Sequence, residues 1–280
     1  MRPGEPASDF KLTLLSRDPA WIIQGEQCGL ERIGIDIEGL GKSGRQRALH
    51  DPWISDHRLE DLTVLAPLVR HARLFVRLNP IHPATSVEIE GAIAGGARSL
   101  MLPQFSEPQE VEQFIRLVGG RAECLLLLET LGALARIDDI LAIRGIDELM
   151  VGLNDLSLSL RLRHPLELAA SPLLDFIAGR ARSAGVPFGF GGVADPSRGS
   201  GLPVPADLLL ARYAELDARS AWLSRSFFRD LAPANFPASL ATLRQRLTYW
   251  RTCSPEERSL ATGRFRTAVQ AMVHAEAPRP

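Results

Sequence analysis

Short apolar runs alternate along the chain with segments of helical period, the mark of repeated strand and helix units that build a parallel sheet. Eight such runs occur, at 11–15, 32–38, 74–79, 99–104, 124–130, 149–155, 187–193 and 221–227, each apolar enough to be covered on both faces. The intervening helices start at Asp18-Pro19, at Ser86 before VEIEGAIAGG, at Glu107-Pro108 and at Pro205-Ala206-Asp207. Glycine pairs close two of them, Gly95-Gly96 and Gly119-Gly120. An open doubly wound sheet more often carries a glycine-rich phosphate turn after its first strand, and no GxGxxG or GxxxxGK[ST] motif is present. The pattern therefore predicts a closed (β/α)8 TIM barrel, to which a length of 280 residues is suited.

From about Leu231 the alternation gives way to two helical stretches, PASLATLRQRLTYWRT and PEERSLATGRFRTAVQAMVHA. The expected organisation is a catalytic barrel over 1–230 and a C-terminal helical extension over 231–280. Leu240, Leu243, Leu247 and Trp250 recur at helical spacing, so one face should pack on the barrel or on another subunit. Because this stripe lies beyond the eight units and must be covered, a homo-oligomer is expected.

Composition narrows the partners. Thirty-two Lys+Arg against 33 Asp+Glu leave a formal charge of -1, which creates no global field for nucleic acid or an anionic membrane surface. Cys28, Cys124 and Cys253 are far apart and lack metal-type spacing, which fits a reducing cytoplasm better than a disulfide framework. The N-terminus has no apolar signal core, and no apolar run approaches the ~20 residues that span a bilayer. A cytoplasmic protein is the expectation.

Candidate chemistry gathers at the ends of the runs. Glu129 closes CLLLLET and Asp155 closes ELMVGLND, 26 positions apart, the length of one helix and strand with their turns. Neighbouring parallel strands lie ~4.8 Å apart, so both carboxylates would emerge side by side at the C-terminal rim, where barrel chemistry usually sits. Two such carboxylates suit Mg²⁺ or a similar cation. The alternative is that Glu129 caps the next helix and Asp155 is the N-cap of LSLSL. Arg77, ending LFVRLNP, should reach the same rim and meet an oxyanion there; its alternative is an ion pair with Asp36 or Glu38. The long segment 39–57 contributes Lys42, Arg45 and Arg47 as possible clamps on a carboxylate or phosphate, and His50 and His57 as possible bases.

Taken together, IGIDIEG, LFVRLNP, GGARSLMLPQFSEPQEVEQF, LLLLET and ELMVGLNDLSLSL resemble the HpcH/HpaI aldolase and citrate lyase β-subunit superfamily. The resemblance covers roughly residues 32–160, and 185–230 more loosely; its most specific part is the spaced E…GxNDLS pair. It implies a barrel that binds Mg²⁺ or Mn²⁺ through Glu129 and Asp155, with Arg77 on the substrate oxyanion. Gln104, Asn154 and Arg45 are the further substrate contacts expected. Pyruvate aldolases of this family carry an Asp/His base pair after the early strand, whereas here Asp36-Ile37-Glu38 is followed by Gly39 with no histidine in that neighbourhood, and the glutamine expected two residues before the metal glutamate is Leu127. Asp36 and Glu38 are then the acidic candidates for proton transfer.

The expected activity is a metal-dependent carbon–carbon lyase or aldolase acting through the enolate of a small 2-oxo acid, in either direction. Two alternatives accompany it: a citrate-lyase-like enzyme acting on an acyl-CoA thioester, and a barrel that binds metal or ligand without turnover.

Overall fold

Eight parallel strands close on themselves in sequence order: β1 (Lys11–Leu15), β2 (Arg32–Asp36), β3 (Arg73–Arg77), β4 (Ser99–Leu102), β5 (Glu123–Leu128), β6 (Glu148–Val151), β7 (Phe188–Val193) and β8 (Ser220–Leu223). The seam is parallel as well, with Lys11 opposite Ser220 and Thr13 opposite Trp222. This computed structural model describes residues 10–45, 55–197 and 202–275, the side chains of Ser43 and Arg45 excepted. Arg47 and His50 fall outside the described residues, as does the side chain of Arg45. The (β/α)8 architecture and the helices that follow it are those the sequence predicts. No helix among the described residues is long and apolar enough to cross a membrane.

Successive side chains of a strand face opposite ways, so alternate residues of each strand fill the barrel in layers. Along β5, Glu123, Leu125, Leu127 and Glu129 run from one rim to the other. At the N-terminal rim the Arg32 guanidinium donates to both oxygens of Glu148 at 2.9 Å. Ser220 also donates to Glu148, at 2.7 Å, and Ser99 donates to Glu123 at 2.5 Å. Arg32 and Glu148 are fully buried, and the paired geometry with added hydroxyl donors compensates the loss of water. Above this layer sits an apolar plug of Phe75, Met101, Leu125, Leu127 and Met150, flanked by Leu15 and Trp222. The third layer, at the C-terminal rim, is polar again.

The outward faces of the strands pack against the helices in the main core, where Ile33, Ile35, Val76, Leu100, Leu126 and Leu149 are inaccessible to water. The helix Pro108–Val118 shows how local chemistry sets an element. Pro108 occupies its first turn, Glu107 and Glu110 form a reciprocal capping box, and Gly119 ends it in the left-handed region at φ 59°.

The stripe Leu240, Leu243, Leu247 and Trp250 lies on the helix Phe236–Thr252 and is buried within the chain. That helix and Pro255–Ala275 both pack on the helix Ala206–Glu215. Arg246 pairs with Asp207 at 2.6 and 2.7 Å, and Trp250 Nε1 donates to the same carboxylate at 3.1 Å. The stripe is covered by its own barrel, so it supplies no reason for a subunit partner.

Candidate active site

The end of β2 faces the end of β3. Asp36 and Arg77 are opposite one another in the β2–β3 register. Arg77 Nε donates to Asp36 Oδ1 at 2.7 Å and Nη2 to Oδ2 at 2.5 Å, while Nε also stands 3.4 Å from Glu38 Oε2. Its guanidinium carbon lies 4.6 Å from the centroid of the Trp222 ring, so the plug's aromatic roof supports the cation from within the barrel. The ion pair considered for Arg77 from the sequence is therefore present.

Beyond β2 the chain turns into the short helix Lys42–Arg45 and returns the Lys42 ammonium to the interior. Lys42 Nζ lies 3.2 Å from Asp36 Oδ2 and 3.2 Å from Glu38 Oε2. The turn is held from β3: Asn79 Oδ1 accepts from the backbone N–H groups of Gly39 and Leu40 at 2.9 and 3.0 Å. Asn79 in turn donates to Glu88 at 2.7 Å. Burial alone would raise the Asp36 carboxyl, but the charges and hydrogen bonds of Arg77, with Lys42, outweigh it and bring it down to about 2.

On the facing side, Glu129 follows β5 directly. It does not cap the next helix, because Thr130 does so, its hydroxyl accepting from Ala133 N. Asp155 departs from the expected strand end. β6 stops at Val151, and Asp155 lies in the first turn of the helix Leu153–Ser159, whose N-cap is Gly152 without a side-chain cap bond. The apolar continuation LND suits either state, and the helix takes over because Gly152 releases the chain at the rim. Gly152 is also sterically required: a Cβ there would lie 2.4 Å from Glu129 Oε2.

Glu38, Glu129 and Asp155 are all buried, and each offers an oxygen within 4.8 Å of those of the other two. Gln104 ties two of them together. Its backbone N–H donates to Glu129 Oε1 at 3.2 Å, and its side-chain amide donates to Asp155 Oδ2 at 3.2 Å. The residue holds φ at 54°, a left-handed conformation costly for a side chain with a Cβ. Burial, together with the charges of Glu38 and Asp155, pushes the Glu129 carboxyl up to about 8. Lys42 and Arg77 stand beside Glu38, but for all three buried carboxylates to be charged this close together a further cation is needed on the Glu129 and Asp155 side, so the donor set fits a hard divalent ion.

The structure thus brings together Asp36, Glu38, Arg77, Gln104, Glu129 and Asp155. Asn154 is exposed on the helical turn beside Asp155. His57 serves the backbone: its Nδ1 accepts from Asp36 N–H at 3.1 Å, and burial lowers its basicity. Ser224 and Ser226 lie beyond β8, at the start of the short helix Arg225–Phe228, and not within the last strand. Burial raises the Cys124 thiol to about 12, which leaves it an inert core side chain. Two features escaped the sequence: Glu38 stands with the Glu129 and Asp155 pair, and Lys42 is buried between Asp36 and Glu38. The spacing of Glu38 and Lys42, four positions apart, was the available signal.

Residues 58–189 match the HpcH/HpaI aldolase/citrate lyase family, in agreement with the resemblance carried by the strand-end motifs. No curated protein matches the chain. Among solved structures it is similar to the citrate synthase SbnG, at 18% identity over 85% of this chain and 95% of that one, TM-score 0.60. It is similar to an HpcH/HpaI aldolase from Desulfitobacterium hafniense DCB-2, at 15% identity over 88% and 93%, TM-score 0.57. A citrate lyase from Burkholderia xenovorans LB400 aligns at 15% identity over 96% of this chain and 85% of that one, TM-score 0.60. At these identities the solved structures establish the shared fold.

Proposed function

We propose, with the HpcH/HpaI aldolase/citrate lyase match over residues 58–189 as the premise, that this chain is a carbon–carbon lyase or aldolase that uses a divalent cation and the enolate of a small 2-oxo acid. The family match supports a lyase of the aldolase or citrate lyase type; the cation and the substrate class are our reading of the site. The observation that carries it is the buried trio Glu38, Glu129 and Asp155 at the rim that also holds Arg77.

Glu129 and Asp155 would hold Mg²⁺ or Mn²⁺, oriented by Gln104. Bound there, the cation supplies positive charge to a developing oxyanion and orients a chelating 2-oxo acid. Arg77, held in place by Asp36, would compensate charge on the same oxygen. With its carboxyl near 2 and both oxygens engaged, Asp36 is a weak proton acceptor. Glu38 is the acid best placed to take the proton of the carbon next to the keto group: the C–H bond breaks, its electron pair moves onto the keto oxygen, and the proton passes to the carboxylate. When the enolate's electron pair returns through its carbon to the carbonyl carbon of an aldehyde or ketone, the carbon–carbon bond forms as the acceptor's C=O π bond opens onto its oxygen, which takes up a proton; cleavage runs the same steps in reverse.

The test is deuterium exchange at the methyl or methylene carbon of pyruvate, oxaloacetate and acetyl-CoA, with Mg²⁺, with Mn²⁺ and with chelator. Metal-dependent exchange into a 2-oxo acid is expected. Exchange into acetyl-CoA alone would move the assignment to a citrate-lyase-like thioester enzyme. No exchange in any of the three would leave a barrel that binds without turnover.

A further inference from the structure

Lys42 is only 1% exposed, in a pocket of the barrel rim that it shares with four carboxylates. A buried ammonium must be paired, and the pairing here is unequal in effect. Asp36 already receives two hydrogen bonds from Arg77, one on each oxygen. Lys42 donates a hydrogen bond to Asp36 Oδ2 at 3.2 Å and stands at the same distance from Glu38 Oε2 as an ion pair. Glu38 has the Arg77 guanidinium only at 3.4 Å, so the ammonium is the nearer of these two cations to it. Glu38 also stands within 4.8 Å of the Glu129 and Asp155 oxygens, close enough to become a third metal ligand.

Resting on the metal reading above, we infer that Lys42 is a positioning residue that keeps Glu38 off the cation, so that Glu129 and Asp155 are its only protein ligands. Charge supports the assignment. Once Glu129 is ionised, Asp36, Glu38, Glu129 and Asp155 stand against Lys42 and Arg77 with an excess of two negative charges within this group, which one divalent ion neutralises. Without Lys42 the excess would be three, and Glu38, having lost its nearer cation, would be drawn towards the metal. An octahedral ion with two protein oxygens keeps four positions, enough for a chelating 2-oxo acid and water; a third carboxylate would take one of them. Lys42 thus trades metal affinity for room and for tolerance of an anionic substrate. A carboxylate kept off the metal also remains available to accept the substrate proton.

The experiment measures Mn²⁺ binding by calorimetry to the wild type, Lys42→Met and the double variant Lys42→Met/Glu38→Gln, with circular dichroism to establish folding. Lys42→Met is expected to bind Mn²⁺ about tenfold or more tightly, since a unit charge close to the ion has been removed. In the double variant the net charge is restored and affinity should return to within about threefold of wild type. A merely structural lysine would lower affinity when lost. The wild type is also examined by Mn²⁺ electron paramagnetic resonance in ¹⁷O-enriched water, where line broadening counts bound waters and about four are expected. A folded Lys42→Met with equal or weaker affinity, or about three waters in the wild type, overturns the inference alone. If Lys42→Met does not fold, the water count decides. A wild type that binds no Mn²⁺ overturns the metal reading and this inference with it.

Discussion

Asp36 and Arg77 are direct register partners across β2 and β3, and the guanidinium spans both oxygens of the carboxylate at 2.7 and 2.5 Å. Pairing at strand ends gives the rim a rigid edge, because each partner is fixed by backbone hydrogen bonds before its side chain is considered. Asp36 therefore holds Arg77 more than it acts itself, and Arg77 has a place in the fold besides the substrate role proposed for it.

Removal of the guanidinium should reveal that place. Arg77→Met leaves Asp36 buried with Lys42 as its remaining cation, and the loss of one partner of a buried pair costs about 3–5 kcal/mol. Urea unfolding is expected to show that loss together with loss of enolisation. A variant of wild-type stability that has lost only activity would return Arg77 to a purely substrate role.

Acid should act on the same pair. The Asp36 carboxyl is lower in the folded chain than its ordinary value of 3.8, so its stabilisation is present above that value and is lost as pH falls through about 2. The contribution is on the order of 2 kcal/mol. Stability curves of wild type and Asp36→Asn measured from pH 5 to 2 should converge as the pH falls; parallel curves would deny the coupling.

Much of this was legible because strand period and rim position are local properties. The run LFVRLNP places Arg77 at a strand end whatever the rest of the chain does, and CLLLLET does the same for Glu129. Asp155 was placed at the right rim in the wrong element, since an apolar run that ends in a polar turn reads alike for a strand end and a first helical turn. Lys42 was hidden for a different reason. A lysine in a glycine-rich basic segment reads as a clamp on a substrate anion or as one charge of a mobile loop, and only the fold shows that the turn held by Asn79 sends it inward onto Asp36 and Glu38. The C-terminal stripe leaves barrel and second subunit open as its cover, because sequence cannot show that Ala206–Glu215 leaves a face for it.

That face yields a prediction for truncation. Deletion of 232–280 would uncover the helix Ala206–Glu215, where Leu209 and Leu210 are buried, and would strand Asp207 without Arg246 and Trp250. The truncated chain is expected to unfold or aggregate, and Leu243→Ala alone should cost about 2–5 kcal/mol. Light scattering and urea titration test both. A well-folded truncated barrel would show that the two helices are dispensable to the fold.

Gln104 separates geometry from stability. Gln104→Gly relieves a side chain held at φ 54° yet removes the amide that orients Asp155. The glycine variant should melt at or above the wild type while binding Mn²⁺ about 10- to 100-fold more weakly, the range for loss of a group that orients a metal ligand. Calorimetry and thermal melting must move in opposite directions; if both fall together, Gln104 is a packing residue.

Glu129, as a proposed ligand, would make metal binding a pH-dependent event. Burial and the charges of Glu38 and Asp155 raise its carboxyl from 4.5 to about 8, so the metal-free folded chain holds a proton that the unfolded chain releases. The sign follows: metal-free stability falls as pH rises from about 4.5 towards 8, because the unfolded state loses its proton first. Glu129→Gln should flatten that decline, since an amide has no proton to lose in this range. A cation must expel the proton to bind, so Mn²⁺ affinity should increase with pH and level off near 8. Calorimetry at pH 6.5 in two buffers of different ionisation enthalpy is expected to report release of about one proton per Mn²⁺ bound by the wild type. Binding without proton release, and with unchanged affinity in Glu129→Gln, would remove Glu129 from the ligand set.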